Sequence, residues 1–164
     1  MITYFNAREE NLLWCGRPRE DELLFLTKAD AGKIKQTLGI PVGKKVILYM
    51  PTWREYGIKP LNKKVWETTL GNDYVILLRS HHFSKDKLTG DNDTAWIDVS
   101  TYPDVNHLYL IADYLISDYS SAFFDYGLLG KPMICFAYDY EQYEQSNGLL
   151  MNLKSEFPSG IKRT

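Results

Sequence analysis

Three short runs in this chain are apolar at every position: Val46-Ile47-Leu48-Tyr49-Met50, Tyr74-Val75-Ile76-Leu77-Leu78 and Tyr114-Leu115-Ile116. A strand with one wet face alternates apolar and polar residues, so a run without alternation reads as a strand covered on both faces. Two further strands are predicted over Trp96 to Val99 and Pro132 to Ala137. Between the runs lie segments with helical spacing: Glu20 to Leu38 with a break near Thr27, Asn62 to Leu70, Asn106 to Ala112, Ser120 to Leu129, and Asp139 to Gln145. Strands alternating with helices predict an α/β fold with a doubly wound parallel sheet. Local signals sharpen one helix in particular. Asn62 suits its N-cap, Leu61 is placed to staple onto Trp66, and Gly71 marks its end.

Bulk properties narrow the function classes. A chain of 164 residues fits one domain with a sizeable core. A formal net charge of −2 without a dense Lys/Arg block argues against a nucleic-acid groove held by charge. Cys15 and Cys135 each sit in apolar runs and are expected to be buried thiols, compatible with a reducing cytoplasm. The N-terminus does not read as a signal peptide and no apolar stretch is long enough to cross a bilayer, so a soluble or peripheral protein is expected.

In a parallel sheet the carboxyl ends of the strands share one edge, where ligands bind. Four predicted strand ends, the first closing the apolar run Leu12 to Cys15, finish in polar residues: Gly16-Arg17-Pro18-Arg19, Pro51-Thr52-Trp53-Arg54, Arg79-Ser80-His81-His82 and Ser117-Asp118-Tyr119-Ser120-Ser121. Together they predict an edge carrying several arginines, a histidine and a helix start, a set suited to an anionic ligand. Adjacent histidines point to opposite faces of a strand, so at most one of His81 and His82 faces the cleft. A cleft histidine can donate or accept a proton near neutrality. No third ligand with recognisable spacing follows, so no metal is expected there. Asp118 is expected to cap the helix that follows, and Asp125, four residues after Ser121, shares a helix face with it. Asp139 and Glu144 are candidates to accept hydrogen bonds from ribose hydroxyls, although Asp139 also suits the start of its helix on dipole grounds alone.

In order and spacing, several segments resemble the bacterial CDP-glycerol glycerophosphotransferase family, the teichoic acid polymerases. They are Gly16-Arg17-Pro18-Arg19-Glu20-Asp21, Leu48-Tyr49-Met50-Pro51-Thr52-Trp53-Arg54, Leu78-Arg79-Ser80-His81, Ile116 to Ser121 with Phe124-Asp125, Lys131-Pro132, and Tyr138-Asp139 with Tyr143. The resemblance covers nearly the whole chain and implies the Rossmann-like, donor-binding C-terminal half of a two-domain GT-B transferase. It further implies that residues 1–164 form a truncated CDP-polyol-binding domain and that the N-terminal, acceptor-binding domain is missing. The implied reaction transfers glycerol phosphate from CDP-glycerol to a growing polymer acceptor and releases CMP, without a cofactor, at the inner membrane face. By the same resemblance His81 would be catalytic, and Arg54, Arg79, Ser120, Ser121 and Thr52 would hold the donor phosphates. Arg19, Asp118 and Asp125 would line the same cleft. The acceptor base would lie on the absent half. Two departures stand out: Glu20 replaces a usual Asn, and Asn147-Gly148 replaces a usual Arg-Gly, which implies one phosphate contact fewer and leaves the polyol open. An inactive nucleotide- or partner-binding module, and a GT-B transferase using another nucleotide sugar, are the competing expectations.

Overall fold

A computed structural model describes residues 8–13, 15–59, 61–80, 95–149 and 153. The helices are α1 (Glu22–Phe25), α2 (Lys28–Thr37), α3 (Lys63–Leu70), α4 (Val105–Ile111), α5 (Ala122–Gly127) and α6 (Tyr140–Asn147). The strands are β1 (Lys45–Met50), β2 (Tyr74–Leu78), β3 (Trp96–Asp98), β4 (Tyr114–Ser117) and β5 (Met133–Cys135). All pairings are parallel and the sheet order is β3-β2-β1-β4-β5. Register aligns Tyr49 with Leu78 and Leu78 with Asp98, and aligns Met50 with Ser117 and Ser117 with Cys135. All five carboxyl ends therefore finish at one edge.

The unbroken apolar runs are explained by two cores, one on each face. Val46, Leu48, Val75, Leu77 and Leu115 point into one, against Ile34 of α2, Leu108 and Ile111 of α4, and Phe123 and Tyr126 of α5. The alternate residues Ile47, Tyr49, Ile76, Leu78 and Ile116 point into the other, where Leu61, Trp66 and Leu70 pack. Trp66 meets Trp96 edge-on with ring centroids 6.2 Å apart. Right-handed crossovers place α3 on one face and α4 and α5 on the opposite face, because the chain reverses its direction of travel after β3. That reversal falls between β1 and β4, and it opens a crevice beyond their ends.

Local chemistry sets several boundaries. Thr27 breaks the first helical segment with a capping box: its backbone N–H donates to Asp30 Oδ2 at 3.0 Å, and its Oγ1 accepts from the Asp30 N–H at 3.3 Å. Asn62 accepts from the Val65 N–H at 3.2 Å, and Gly71 ends α3 at a φ of 61°. Two expectations differ from the structure. Leu12, Leu13 and Cys15 belong to no strand, and Cys15 is exposed instead of buried. Cys135 is half-buried at the end of β5.

Candidate functional site

The crevice at the carboxyl edge is a cleft of about 690 Å³. Thr52 and Trp53 line it from the loop after β1, Arg79 and Ser80 from the end of β2, and Ser100 from beyond β3. Ser120 and Ser121 come from the turn before α5 and Asp125 from α5 itself. Tyr143 and Asn147 close one side from α6, and Arg19 reaches in from the 3-10 turn Pro18–Glu20. The edge thus gathers residues from all four polar segments singled out in the sequence. The segment holding Arg19 arrives as a turn and not as a strand end.

Hydrogen bonds strap the two sides of the crevice together. Ser117 Oγ donates to the Met50 carbonyl at 2.6 Å, and Asp118 Oδ1 accepts from the N–H groups of Thr52 at 2.8 Å and Tyr119 at 2.7 Å. Asp118 is buried and ties β4 to β1; it does not cap α5, as its position before the helix had suggested. The N-cap position, Ser121, makes no side-chain cap either; one residue earlier, Ser120 Oγ accepts from the Ala122 N–H at 3.1 Å. Because α5 has only six residues, its dipole adds little, and the side chains must supply the attraction for an anion.

Among the described residues, Arg79 and Arg19 are the cations of the cleft wall. Arg79 Nη1 donates to the carbonyls of Val99 at 3.2 Å and Tyr102 at 2.7 Å, which aims the rest of the half-buried guanidinium. Burial pulls its pKa below the ordinary arginine value. A guanidinium stays charged through such a shift, so Arg79 is a poorly solvated cation that gains by meeting an anion. Arg19 Nη2 and Arg17 Nη1 both contact Asp125 Oδ1 at 2.9 Å, and Arg17 also pairs with Glu20. Desolvation and the neighbouring Asp125 push the Glu20 carboxyl upward. Asp125 is therefore the counter-ion that fixes Arg19 at the mouth of the cleft.

Arg54, Asp139 and Glu144 depart from expectation. Arg54 is not on the cleft wall. Its side chain is 0% exposed, and Nη1 donates to the Thr52 carbonyl at 2.6 Å. Its Nη2 donates to Asp118 Oδ2 at 2.8 Å and Asp139 Oδ1 at 2.9 Å, and Nε donates to Asp139 Oδ2. Tyr119, Tyr138 and Tyr143 surround it with ring centroids 5.3, 5.1 and 5.6 Å from the guanidinium carbon. Burial alone would lower its pKa, but the two carboxylates hold it well above the usual value. A guanidinium so consumed has little left for a phosphate. Asp139 is consumed as well: beyond Arg54 it accepts from the Tyr119 hydroxyl at 2.8 Å and the Tyr56 hydroxyl at 2.9 Å, which leaves no free lone pair for a ribose. Glu144 is exposed and does not line the cleft, and its carboxylate accepts from the Tyr140 hydroxyl at 3.4 Å.

His81 and His82 lie outside the described residues. Sequence reasoning passed over the Ser80–Ser100 hydroxyl pair, 3.0 Å apart, and gave Tyr143 no role in the cleft, whereas Asn147, singled out as the replacement of a usual phosphate-contacting arginine, does line it. It also gave Lys131 no role. Its Nζ donates to the carbonyls of Tyr109, Leu110 and Ala112 at 3.2, 2.6 and 2.8 Å and so caps α4. Glu22, Asp104 and His107 bring ligand atoms within 4.8 Å of one another, but none of them lines the cleft. Asp104 caps the Asn106 N–H, Glu22 accepts from the Asn106 amide, and His107 contacts Tyr102.

A parallel sheet in this order, with a cleft lined by arginines and hydroxyls at the point of reversal, defines a Rossmann-like α/β domain. Residues 1–164 match the model of the CDP-glycerol:poly(glycerophosphate) glycerophosphotransferases, and the chain belongs to that family. It is 41% identical over 167 residues to a teichoic acid poly(glycerol phosphate) polymerase of Staphylococcus epidermidis, covering 93% of this chain and 23% of the relative. It is 36% identical over 171 residues to the teichoic acid ribitol-phosphate polymerase TarK of Staphylococcus aureus, covering 96% and 33%. The solved wall teichoic acid polymerase TagF superposes with a TM-score of 0.84 at 40% identity, covering 96% of this chain and 41% of that one. A variant of TagF soaked with CDPG superposes at 0.82. The chain spans less than half the length of these relatives.

Proposed function

We propose that this chain binds the nucleotide donor in a polyol-phosphate transferase, one that moves glycerol phosphate from CDP-glycerol to a teichoic-acid-like polymer and releases CMP. The observation that carries the reading is the cleft itself. Arg79 and Arg19 converge there with the hydroxyls of Ser120 and Ser121 at the switch point of the sheet, in a family named for a CDP-glycerol substrate. The soaking of TagF with CDPG supports a nucleotide-polyol donor.

The chemistry asks for charge stabilisation more than covalent help. An acceptor hydroxyl oxygen bonds to the phosphorus carrying the glycerol, and the bond from that phosphorus to the bridging oxygen breaks, leaving its electrons on CMP. Arg79, a desolvated cation, is suited to the charge that grows on the phosphates, and Ser120 and Ser121 to orienting their oxygens. His81 follows the cleft residue Ser80 directly in sequence and is assigned the proton for departing CMP. The base that takes the acceptor proton is assigned to the acceptor-binding half of the enzyme. No helix among the described residues is long and apolar enough to cross a membrane, and attachment to the inner membrane face is proposed as peripheral.

Identity to a ribitol-phosphate polymerase nearly equals that to a glycerol-phosphate polymerase, so CDP-ribitol is the specific alternative donor. Calorimetry with CDP-glycerol, CDP-ribitol, CDP and UDP tests the reading. Cytidine-selective binding is expected, and the tighter of the two polyol donors identifies the substrate. Absence of binding at millimolar ligand overturns the proposal, and a preference for UDP moves the chain to the nucleotide-sugar transferases.

A further inference from the structure

We infer that Arg54 is a positioning residue, a buried latch that holds the loop after β1, the turn after β4 and helix α6 in the arrangement that shapes the cleft; the inference rests on the donor-binding reading. Its three nitrogens divide their bonds among those three segments. Nη1 holds the Thr52 carbonyl in its own loop, Nη2 reaches Asp118 in the turn after β4, and Nε with Nη2 grips Asp139 at the start of α6. Each partner is in turn fastened to a cleft-lining residue. Asp118 also receives the N–H of Thr52, which lines the cleft, and of Tyr119, which precedes Ser120. The Asp139 carbonyl accepts the N–H of Tyr143 at 2.9 Å, and the Tyr143 ring stacks on Tyr119 with centroids 3.8 Å apart.

The electrostatics favour positioning over stability as the purpose. Two buried carboxylates face one guanidinium, so the cluster is not neutral, and phenol hydroxyls and backbone N–H groups supply the remaining donors. Buried ion clusters of this kind add little net stability compared with apolar packing. Their best-attested benefit is a single specified arrangement. A planar fork reaches these four acceptor atoms at fixed angles, whereas an ammonium has three donors around a single point.

The test uses the whole chain as wild type, Arg54→Lys, and the double variant Tyr56→Phe/Tyr119→Phe. The double variant loosens Asp139 without stranding a buried charge and alters no residue that lines the cleft. Hydrogen exchange is measured on the free protein, and CDP-glycerol affinity by calorimetry. In Arg54→Lys the amides of Thr52, Tyr119 and Tyr143 are expected to exchange about tenfold faster together, with Leu48 unchanged, and affinity to fall about tenfold or more, since small displacements of binding groups are costly. The double variant is expected to shift both readouts the same way by less, and it decides the matter if the lysine variant does not fold. Unchanged free-state exchange, a uniform rise that includes Leu48, or faster exchange with wild-type affinity each overturns the latch. Failure of the wild type to bind CDP-glycerol overturns the donor-binding reading instead, and exchange in the free protein still decides whether Arg54 couples the three segments.

Discussion

Replacing Arg79 with Met removes the cation that the structure aims at the cleft while keeping most of its apolar length. Two costs separate cleanly. Bound anions lose a charge-assisted hydrogen bond, worth roughly 1.5–3 kcal/mol. At about 1.4 kcal/mol per tenfold, that is roughly a 10- to 150-fold weaker Kd for CDP. A bare Coulomb estimate of about 4 kcal/mol at 4 Å in an effective dielectric of 20 is an upper limit, because phosphate must also shed water. Independently, the carbonyls of Val99 and Tyr102 lose their donor at Nη1. At about 1 kcal/mol for each hydrogen bond, stability falls by roughly 2 kcal/mol, or about 4–8 °C in Tm for a domain of this size. Arg79→Lys keeps a charge, but one ammonium cannot hold both carbonyls and face a phosphate, so its affinity is expected to lie between those of wild type and Met. Calorimetric titration of CDP, at a temperature where circular dichroism shows all three proteins folded, reads the binding cost alone. A Met variant that binds CDP within about twofold of wild type refutes the reasoning, since it means no charge-assisted contact of the expected size was present.

Lys131→Met leaves three carbonyls at the end of α4 without their donor and is expected to cost about 2–3 kcal/mol of stability, with CDP affinity unchanged. A Tm within about 2 °C of wild type would show that Nζ contributes little to α4. Acid sensitivity should trace to Asp139. Burial alone would raise its carboxyl, but Arg54, Tyr119 and Tyr56 hold the folded-state value below the ordinary 3.8. A depressed folded value means that the stabilisation is fully present above the unfolded value and fades as pH falls from about 4 through the lower folded value. Urea unfolding between pH 6 and 3 is therefore expected to show a smaller loss for Asp139→Asn than for wild type, and parallel losses contradict the assignment.

Much of the fold was legible because its determinants are local or periodic. Runs such as Val46 to Met50 need no partner identity to demand cover on both faces, and the caps at Thr27 and Asn62 satisfy backbone groups only three residues away. The cleft was legible in outline for the same reason, since parallel strands bring their polar ends to one edge. The individual roles within it were another matter. Asp118, Asp125 and Asp139 look alike as acidic residues near helix starts, yet one straps β4 to β1, one restrains Arg19, and one receives Arg54.

Arg54 shows most plainly where sequence alone stopped. Pro51-Thr52-Trp53-Arg54 reads the same whether its arginine faces a phosphate or a buried carboxylate, because the residues that decide, Asp118 and Asp139, lie 64 and 85 positions away. Composition and periodicity by themselves set the layers, the strand direction and the edge that carries charge. Tertiary structure decided which arginines stay available to a ligand, since burial and pairing depend on what long-range packing brings within about 3 Å, the reach of a hydrogen bond.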